Sequence, residues 1–128
     1  MVRVEIGPGD FPLEGFATVD VIPRDGPMGP TRICRWGFDS LPFFENSVDL
    51  IYASHVLEHV EWTSTNFALK EAFRVLKPGG TIEIWVPDFD YIVQCYRAQK
   101  CGDDWRRYNE AGDFMRWVNG RLFAYGTN

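Results

Sequence analysis

The sequence predicts an α/β fold in which helices cover a parallel sheet of about five strands. Strand-like runs rich in β-branched or apolar residues recur at positions 2–6, 17–22, 31–36, 47–53 and 81–87. Apolar residues at helical spacing follow the fourth run, from about Thr65 to Leu76, and the fifth, from Asp88 to about Gln99. Because strands that alternate with helices are typical of parallel sheets, we expect this architecture.

The composition indicates a single domain over residues 1–128. The chain is 45% hydrophobic, enough for one core that buries about two-thirds of the unfolded surface. No apolar run approaches the roughly 20 residues that cross a bilayer, and the first strand is charged, so we expect neither a membrane span nor a signal peptide. The scattered cysteines, Cys34, Cys95 and Cys101, fit reduced thiols in the cytoplasm.

The net charge of −5 is unevenly distributed. Residues 1–91 carry 7 Lys/Arg and 14 Asp/Glu, whereas residues 92–128 carry 6 and 4. Phosphate backbones are bound by a positive field, so general nucleic-acid binding is disfavoured. The basic tail is suited to an anionic substrate or partner, but helix surfaces routinely carry such charges, and we favour that second interpretation.

A glycine-rich turn follows the first strand, in the stretch Val-Arg-Val-Glu-Ile-Gly-Pro-Gly-Asp at residues 2–10. Gly7 and Gly9 can take positive φ and bring bare backbone against a ligand, while Glu5 offers a carboxylate to an amine or hydroxyl. The turn predicts a cofactor cradle, although ordinary turns have the same pattern.

Asp20 lies in the second strand, which Pro23 and a Gly/Pro-rich loop at residues 24–30 bring to an end. A doubly wound sheet places an acid here to bind ribose hydroxyls; the alternative is a carboxylate that faces a turn. Asp20 follows Gly9 by 11 positions, against about 20 in the dinucleotide fingerprint. The first crossover helix is therefore expected to be short or absent.

His55, Glu58 and His59 match the H-x-x-E-H spacing of inverted zinc peptidases. The segment follows a strand, however, and no third ligand group is evident downstream. We therefore expect no metal. Leu57 and Val60 are expected to pack inward, with the two histidines lining a crevice.

Six motifs follow one another along the chain: the glycine turn, Asp20, Asp-Ser-Leu-Pro-Phe at 39–43, Ser-Val-Asp-Leu-Ile-Tyr at 47–52, Leu-Glu-His-Val at 57–60 and Arg-Val-Leu-Lys-Pro-Gly-Gly at 74–80. In this order they resemble class I S-adenosylmethionine-dependent methyltransferases, especially the small-molecule group called methyltransferase type 11. The resemblance covers residues 2 to about 88. It implies a Rossmann-like sheet of strand order 3-2-1-4-5 with flanking helices, and S-adenosylmethionine as the cofactor.

The resemblance also implies how the first motif binds. Gly7, Pro8 and Gly9 would lie against the methionine part of the cofactor, with Glu5 near its amino group. Buried carboxylates satisfy such donors strongly. Phe11 replaces the family's usual third glycine, so the methionine end is expected to be more exposed.

The nucleoside is assigned to two further segments by the same resemblance. Asp20, with Val21 beside it, would bind the ribose hydroxyls. Asp39 would accept a hydrogen bond from the adenine amine, while Ser40 and Leu41 supply backbone and cover. The ligand would then lie across the carboxyl ends of the strands.

Methyl transfer to an unidentified small-molecule acceptor is the implied activity, with Ser54 and His55 bordering the cleft near the sulfonium. The protein mostly aligns the reactants and excludes water. A base helps only if the acceptor is a hydroxyl or charged amine, and His55 or His59 is the nearest candidate. A non-catalytic S-adenosylmethionine-binding or regulatory module is the alternative; a nicotinamide enzyme would need a second mononucleotide half.

The family's final antiparallel strand pair has no clear counterpart after Asp88. Residues 89–128 are instead expected to form a helical, aromatic-rich tail. Without that pair the fifth strand is an uncovered edge, which predicts a homodimer or higher oligomer. Aromatic residues of the tail are the expected contacts, namely Trp105, Phe114, Trp117 and Phe123. The alternative for each of them is that it closes the core of its own chain.

Overall fold

The computed structural model describes residues 1–23, 25–34, 38–100 and 114–123, of which 116 and 123 are described by their backbone alone. These residues contain seven strands: β1 (Arg3–Ile6), β2 (Ala17–Asp20), β3 (Asp25–Gly26), β4 (Gly29–Pro30), β5 (Arg32–Ile33), β6 (Val48–Ser54) and β7 (Leu76–Trp85). They also contain a 3₁₀ turn (Leu57–His59) and the helices α1 (Thr65–Val75), α2 (Phe89–Ala98) and α3 (Phe114–Phe123).

Five of the strands form one parallel sheet in the order β5-β2-β1-β6-β7. When these five strands are numbered one to five along the chain, their order in the sheet is 3-2-1-4-5. The predicted α/β fold and Rossmann-like strand order are therefore confirmed. The remaining strands, β3 and β4, have two residues each and pair as an antiparallel hairpin. They lie inside the segment that the sequence indicated as a loop. The hairpin is too short to leave a periodic pattern.

The fifth sheet strand begins at Leu76, whereas the sequence predicted a start at Thr81. Leu76 is already extended, with ψ 136°, and it pairs with Val48 of β6. The register shifts after this pair and resumes at Leu50 with Thr81. Pairing with β6 thus extends the strand back to the end of α1, an effect that local sequence does not encode.

The core lies between α1 and one face of the sheet. Val4 on β1 and Ile51 on β6 are partners in register and are fully buried, as is Val19 on β2, which pairs with Ile6 of β1. On α1, the small side chains of Ala68 and Ala72 are buried against this cluster. Burying each large aliphatic side chain contributes about 1.5–3 kcal/mol, which fixes the strands and therefore the positions of their ends.

The crossover from β1 to β2, residues 7–16, contains no helix, in line with the expected short connection. Glu5 fastens it, because its Oε2 accepts a hydrogen bond from the Leu13 amide at 2.7 Å. Phe16 then lies edge-on to Tyr52 of β6, with ring centroids 6.4 Å apart. The connection therefore runs close to the second face of the sheet.

By its internal contacts the chain divides into two units, residues 1–86 and 87–128. The second contains α2, which Asp88 caps by accepting a hydrogen bond from the Tyr91 amide at 3.1 Å. Phe114 and Trp117 are buried against α2 within this unit, while Trp105 and the side chain of Phe123 lie outside the described residues. The single-domain organisation of residues 1–128 stays a prediction.

Within the described ranges, no helix is long and apolar enough to cross a membrane.

Candidate functional site

Three neighbouring strands deliver the predicted site residues to one edge of the sheet. Ile6 of β1 is in register with Val19 of β2 and with Ala53 of β6. The next residue along each strand, Gly7, Asp20 and Ser54, therefore lies at the same carboxyl edge. Parallel α/β sheets bind ligands at this edge.

The glycine turn adopts the conformation for which its sequence is suited. Gly7 and Gly9 have φ values of 64° and 59°, and the Gly7 amide donates to the Val19 carbonyl at 2.8 Å. A Cβ on Gly7 would lie 2.7 Å from Cγ2 of Val56, whereas one on Gly9 would meet nothing within 4 Å. Gly7 is thus packed, Gly9 opens to the outside, and Pro8 between them is half-buried.

Glu5 is buried at the end of β1. One carboxylate oxygen is engaged by the Leu13 amide, and no described residue bonds to the other, Oε1. The residue therefore holds the crossover in place while one oxygen remains for a donor from a ligand.

Asp20 is buried at the end of β2. Its Oδ1 accepts hydrogen bonds from the amides of Val21, at 2.7 Å, and Ile22, at 3.4 Å. These local bonds fix the carboxylate at the strand end. Asp20 therefore faces the turn that follows β2, which was the alternative interpretation of the sequence. This arrangement is compatible with ligand binding, because a carboxylate accepts about four hydrogen bonds.

Cys34 was not predicted as a site residue, yet it lies beside Asp20. Its amide donates to the Asp20 carbonyl at 2.9 Å. Burial and then the Asp20 carboxylate raise the pKa of the Cys34 thiol to about 11, with a smaller contribution from Asp39. Two predicted nucleoside residues thus influence the same thiol.

The segment that carries Asp39 is held by α1. Asp39 and Ser40 are exposed, whereas Leu41 is buried and its amide donates to Glu71 Oε1 at 2.8 Å. Arg74 also donates to the Phe43 carbonyl at 3.0 Å. The two α1 side chains pair with each other at 2.6 Å and hold the loop from both its amide and carbonyl groups.

This attachment makes the stability sensitive to acid. The guanidinium of Arg74 holds the pKa of Glu71 below its usual range. The pair therefore stabilises the fold at pH values above the usual pKa of a glutamate. Its contribution is lost as the pH falls through the lower pKa that Glu71 has in the folded state. We expect Glu71→Gln to lower the free energy of unfolding at pH 7 by about 1 kcal/mol.

Urea denaturation of wild type and variant at pH 7 and pH 3 checks this expectation. The difference between the two proteins should shrink at the lower pH. Glu14→Gln, which removes an exposed acid, is the control and should behave as wild type at both values. A difference that persists at pH 3 would contradict the role of the charge.

His55 follows Ser54, the last residue of β6, and has the left-handed φ of 54°. Its amide donates to the Trp85 carbonyl at 2.8 Å, which ties the turn to β7. Its Nδ1 lies 3.1 Å from Glu58 Oε1. A non-glycine residue in this conformation is strained, and such strain is common at functional sites.

His59 ends the 3₁₀ turn and is exposed. The histidines thus differ, because among the described residues only the ring of His55 has a carboxylate partner. In the same ranges, no group of three or more His, Cys, Asp or Glu side chains is placed to hold a metal ion. The spacing of Glu58 from the histidines is visible in the sequence, where it predicted no role for Glu58 because it was interpreted as a coincidental metal pattern.

Comparison with known proteins gives one family and several relatives. Residues 23–84 match the family described as methyltransferase domain. The ubiquinone/menaquinone biosynthesis C-methyltransferase UbiE of Haemophilus ducreyi is 38% identical over 74 residues, which are 56% of this chain and 28% of that protein. UbiE of Vibrio vulnificus is 34% identical over 82 residues, 62% of this chain and 31% of that protein. The chain thus spans less than a third of the length of these curated relatives.

Two solved structures share the fold. One is a chain from the complex between the Haloferax volcanii Trm112 methyltransferase activator and a methyltransferase, with a TM-score of 0.54, 20% identity and coverage of 87% of this chain and 58% of that one. The other is an S-adenosylmethionine-dependent methyltransferase from Methanosarcina mazei, with a TM-score of 0.54, 20% identity and coverage of 86% and 61%.

Proposed function

Because residues 23–84 carry a methyltransferase domain of the class I, S-adenosylmethionine-dependent kind, we propose that this protein transfers a methyl group from S-adenosylmethionine to a small-molecule acceptor. One observation carries the proposal: the positive-φ turn at Gly7 and Gly9 lies at the same sheet edge as the buried carboxylate of Asp20. The small-molecule acceptor is supported by the UbiE relatives, which are named for quinone biosynthesis.

The residues of the first turn fit the methionine part of the cofactor. Glu5 Oε1 is an acceptor suited to the amino group, because a buried carboxylate pairs strongly with a charged donor. The open space beside Gly9 admits a ligand against the backbone, and Gly7 and Pro8 continue that surface.

The nucleoside is proposed to bind on the β2 side of the same edge. Asp20 would accept from the ribose hydroxyls, next to Val21. Asp39 would accept from the adenine amine, with Ser40 and Leu41 flanking it. Support comes from the common influence of Asp20 and Asp39 on the Cys34 thiol.

S-adenosylmethionine supplies, when bound, a methyl group already activated on a sulfonium. The chain's own residues align the acceptor and exclude water, and such alignment is worth up to about 7–11 kcal/mol. Ser54 and His55 would border this part of the cleft. For an acceptor that must lose a proton, His55 or His59 would take it, since imidazole accepts protons near neutral pH.

Isothermal calorimetry tests the cofactor. We expect heats of binding from S-adenosylmethionine and from its demethylated product, S-adenosylhomocysteine, but none from NAD. The proposed site comprises one mononucleotide half, whereas a dinucleotide requires two such halves. Binding of NAD alone would refute the methyltransferase proposal.

The alternative is an S-adenosylmethionine-binding or regulatory module without catalysis. The residues after β7 favour this alternative. In this part of the chain the structure describes residues 87–100 and 114–123, and their regular elements are helices and not the strand pair that the resemblance implied. Incubation of the protein with methyl-labelled S-adenosylmethionine and a cell metabolite extract separates the two. Label in a new small molecule supports the enzyme, while binding without label transfer supports the module.

We also propose a cytoplasmic location and a homodimer. Cys34 is a free thiol, as expected of a reducing compartment. In the described part of the chain β7 pairs only with β6, and Trp85 on it is 57% exposed. Such an edge favours pairing with a second copy. Phe114 and Trp117 already contribute to the core of the helical unit, so Trp85 replaces them as the proposed contact.

Light scattering at micromolar concentration measures the assembly. We expect at least twice the 14.8 kDa chain mass for the wild type. Trp85→Glu should reduce the mass to that of a monomer, because a buried charge at a contact is strongly unfavourable. Trp62→Glu changes a tryptophan that is 86% exposed and lies outside β7, so it should leave the mass unchanged. A wild-type monomer would contradict the dimer.

A further inference from the structure

Glu58 and His55 form a pair at the carboxyl end of β6. Glu58 Oε1 lies 3.1 Å from His55 Nδ1, and the two side chains are 9% and 55% exposed. Glu58 Oε2 is buried and has no hydrogen-bond partner among the described residues. We propose that Glu58 is a positioning residue, which holds His55 so that Nε2 receives the proton of the methyl acceptor. This inference rests on the proposed function.

The pair defines which ring nitrogen is the base. An ionised carboxylate only accepts hydrogen bonds, so the proton between the two residues belongs to Nδ1 of His55. In the neutral ring Nε2 then carries the lone pair. No described residue bonds to Nε2, and the ring is half-exposed. The basic nitrogen is therefore available to a ligand.

The position of the pair matches the proposed cleft. Val56, the residue after His55, is the side chain that a Cβ on Gly7 would meet. His55 therefore stands one residue from the wall of the glycine turn. Its left-handed backbone is maintained by the hydrogen bond to the Trp85 carbonyl and by the ring's contact with Glu58.

The proton transfer balances for an acceptor that carries a hydroxyl or ammonium group. The acceptor's bond to hydrogen breaks, the proton moves to Nε2, and the electron pair left on the acceptor atom forms the new bond to the methyl carbon. The electron pair of the broken carbon–sulfur bond stays on sulfur. The imidazolium then returns its proton to water.

Nitrogen-15 NMR of the ligand-free full chain tests the orientation directly. The chain has two histidines, and His59→Gln assigns their ring signals. We expect neutral His55 in the wild type to carry its proton on Nδ1. Glu58→Gln should shift the tautomer towards Nε2–H, while Glu61→Gln, a nearby exposed acid, should leave it unchanged. A wild-type ring protonated on Nε2 overturns the proposal without any variant having to fold.

The second measurement concerns transfer of label from S-adenosylmethionine into the metabolite extract. Glu58→Gln should reduce the rate at least tenfold and keep S-adenosylhomocysteine binding within twofold of wild type, whereas Glu61→Gln should change neither. Undiminished transfer in Glu58→Gln overturns the proposal. Failure of the wild type to bind S-adenosylhomocysteine would instead refute the proposed function. The two failures can be distinguished, because the NMR measurement is made without a ligand.

Discussion

Gly7→Ala is expected to lower the free energy of unfolding by about 2–4 kcal/mol. A left-handed backbone at φ 64° costs an alanine about 1 kcal/mol or more, and overpacking adds about 1–3 kcal/mol. The new Cβ would lie 2.7 Å from Cγ2 of Val56, a β-branched side chain with little freedom to move. Urea denaturation measures the loss.

Two further variants separate the backbone from the contact. Gly15 has a φ of 79° and open space where a Cβ would lie, so Gly15→Ala should lose only the backbone part, about 1 kcal/mol. Adding Val56→Ala to Gly7→Ala removes the contact, so the double variant should lose less than the sum of the two single losses. Equal losses in Gly7→Ala and Gly15→Ala would contradict the packing of the turn against Val56.

Asp20→Asn is expected to weaken S-adenosylhomocysteine binding ten- to a hundredfold, or by about 1.4–2.8 kcal/mol. The amide oxygen of asparagine can still accept from the Val21 amide, so the strand end should keep its conformation. What is lost is the charge that strengthens hydrogen bonds to the ribose hydroxyls. Calorimetry measures the dissociation constant.

The reactivity of the Cys34 thiol provides a check that Asp20→Asn changes the charge at the end of β2. The Asp20 carboxylate contributes to the raised pKa of Cys34, so Asp20→Asn should lower that pKa from about 11 towards its ordinary value. Alkylation of Cys34 at mildly alkaline pH should become faster, as followed by peptide mass spectrometry. Asp25→Asn, an exposed acid on β3, should change neither quantity, and wild-type affinity in Asp20→Asn would exclude Asp20 from the site.

The local sequence was sufficient to predict where the central strands β1 and β2 end. The β-branched run before Pro23 predicted β2, and with it the strand-end position of Asp20. The turn at Gly7 and Gly9 followed from the same logic, because only glycine takes positive φ without strain. In both places, neighbours in the chain decide the conformation.

Contacts between distant positions were not predictable in this way. The loop of Asp39 is held by Glu71 and Arg74, which follow it by about 30 positions, and no local pattern marks that attachment. The spacing of His55 and Glu58 was visible, but a metal site and a tautomer-fixing pair have the same spacing. Only the distance to Nδ1 distinguishes them.

The short connection between β1 and β2 also bears on how the protein folds. Pairing these strands closes a loop of only ten residues, 7–16, whereas pairing β1 with β6 closes one of 41, residues 7–47. The loop-closure entropy differs by about 1 kcal/mol in favour of the shorter loop. The β1–β2 pair is therefore the parallel contact of β1 that forms most readily on the way to the native state. Its formation brings the Gly7 amide to the Val19 carbonyl, so we expect the glycine turn to belong to an early-forming part of the sheet.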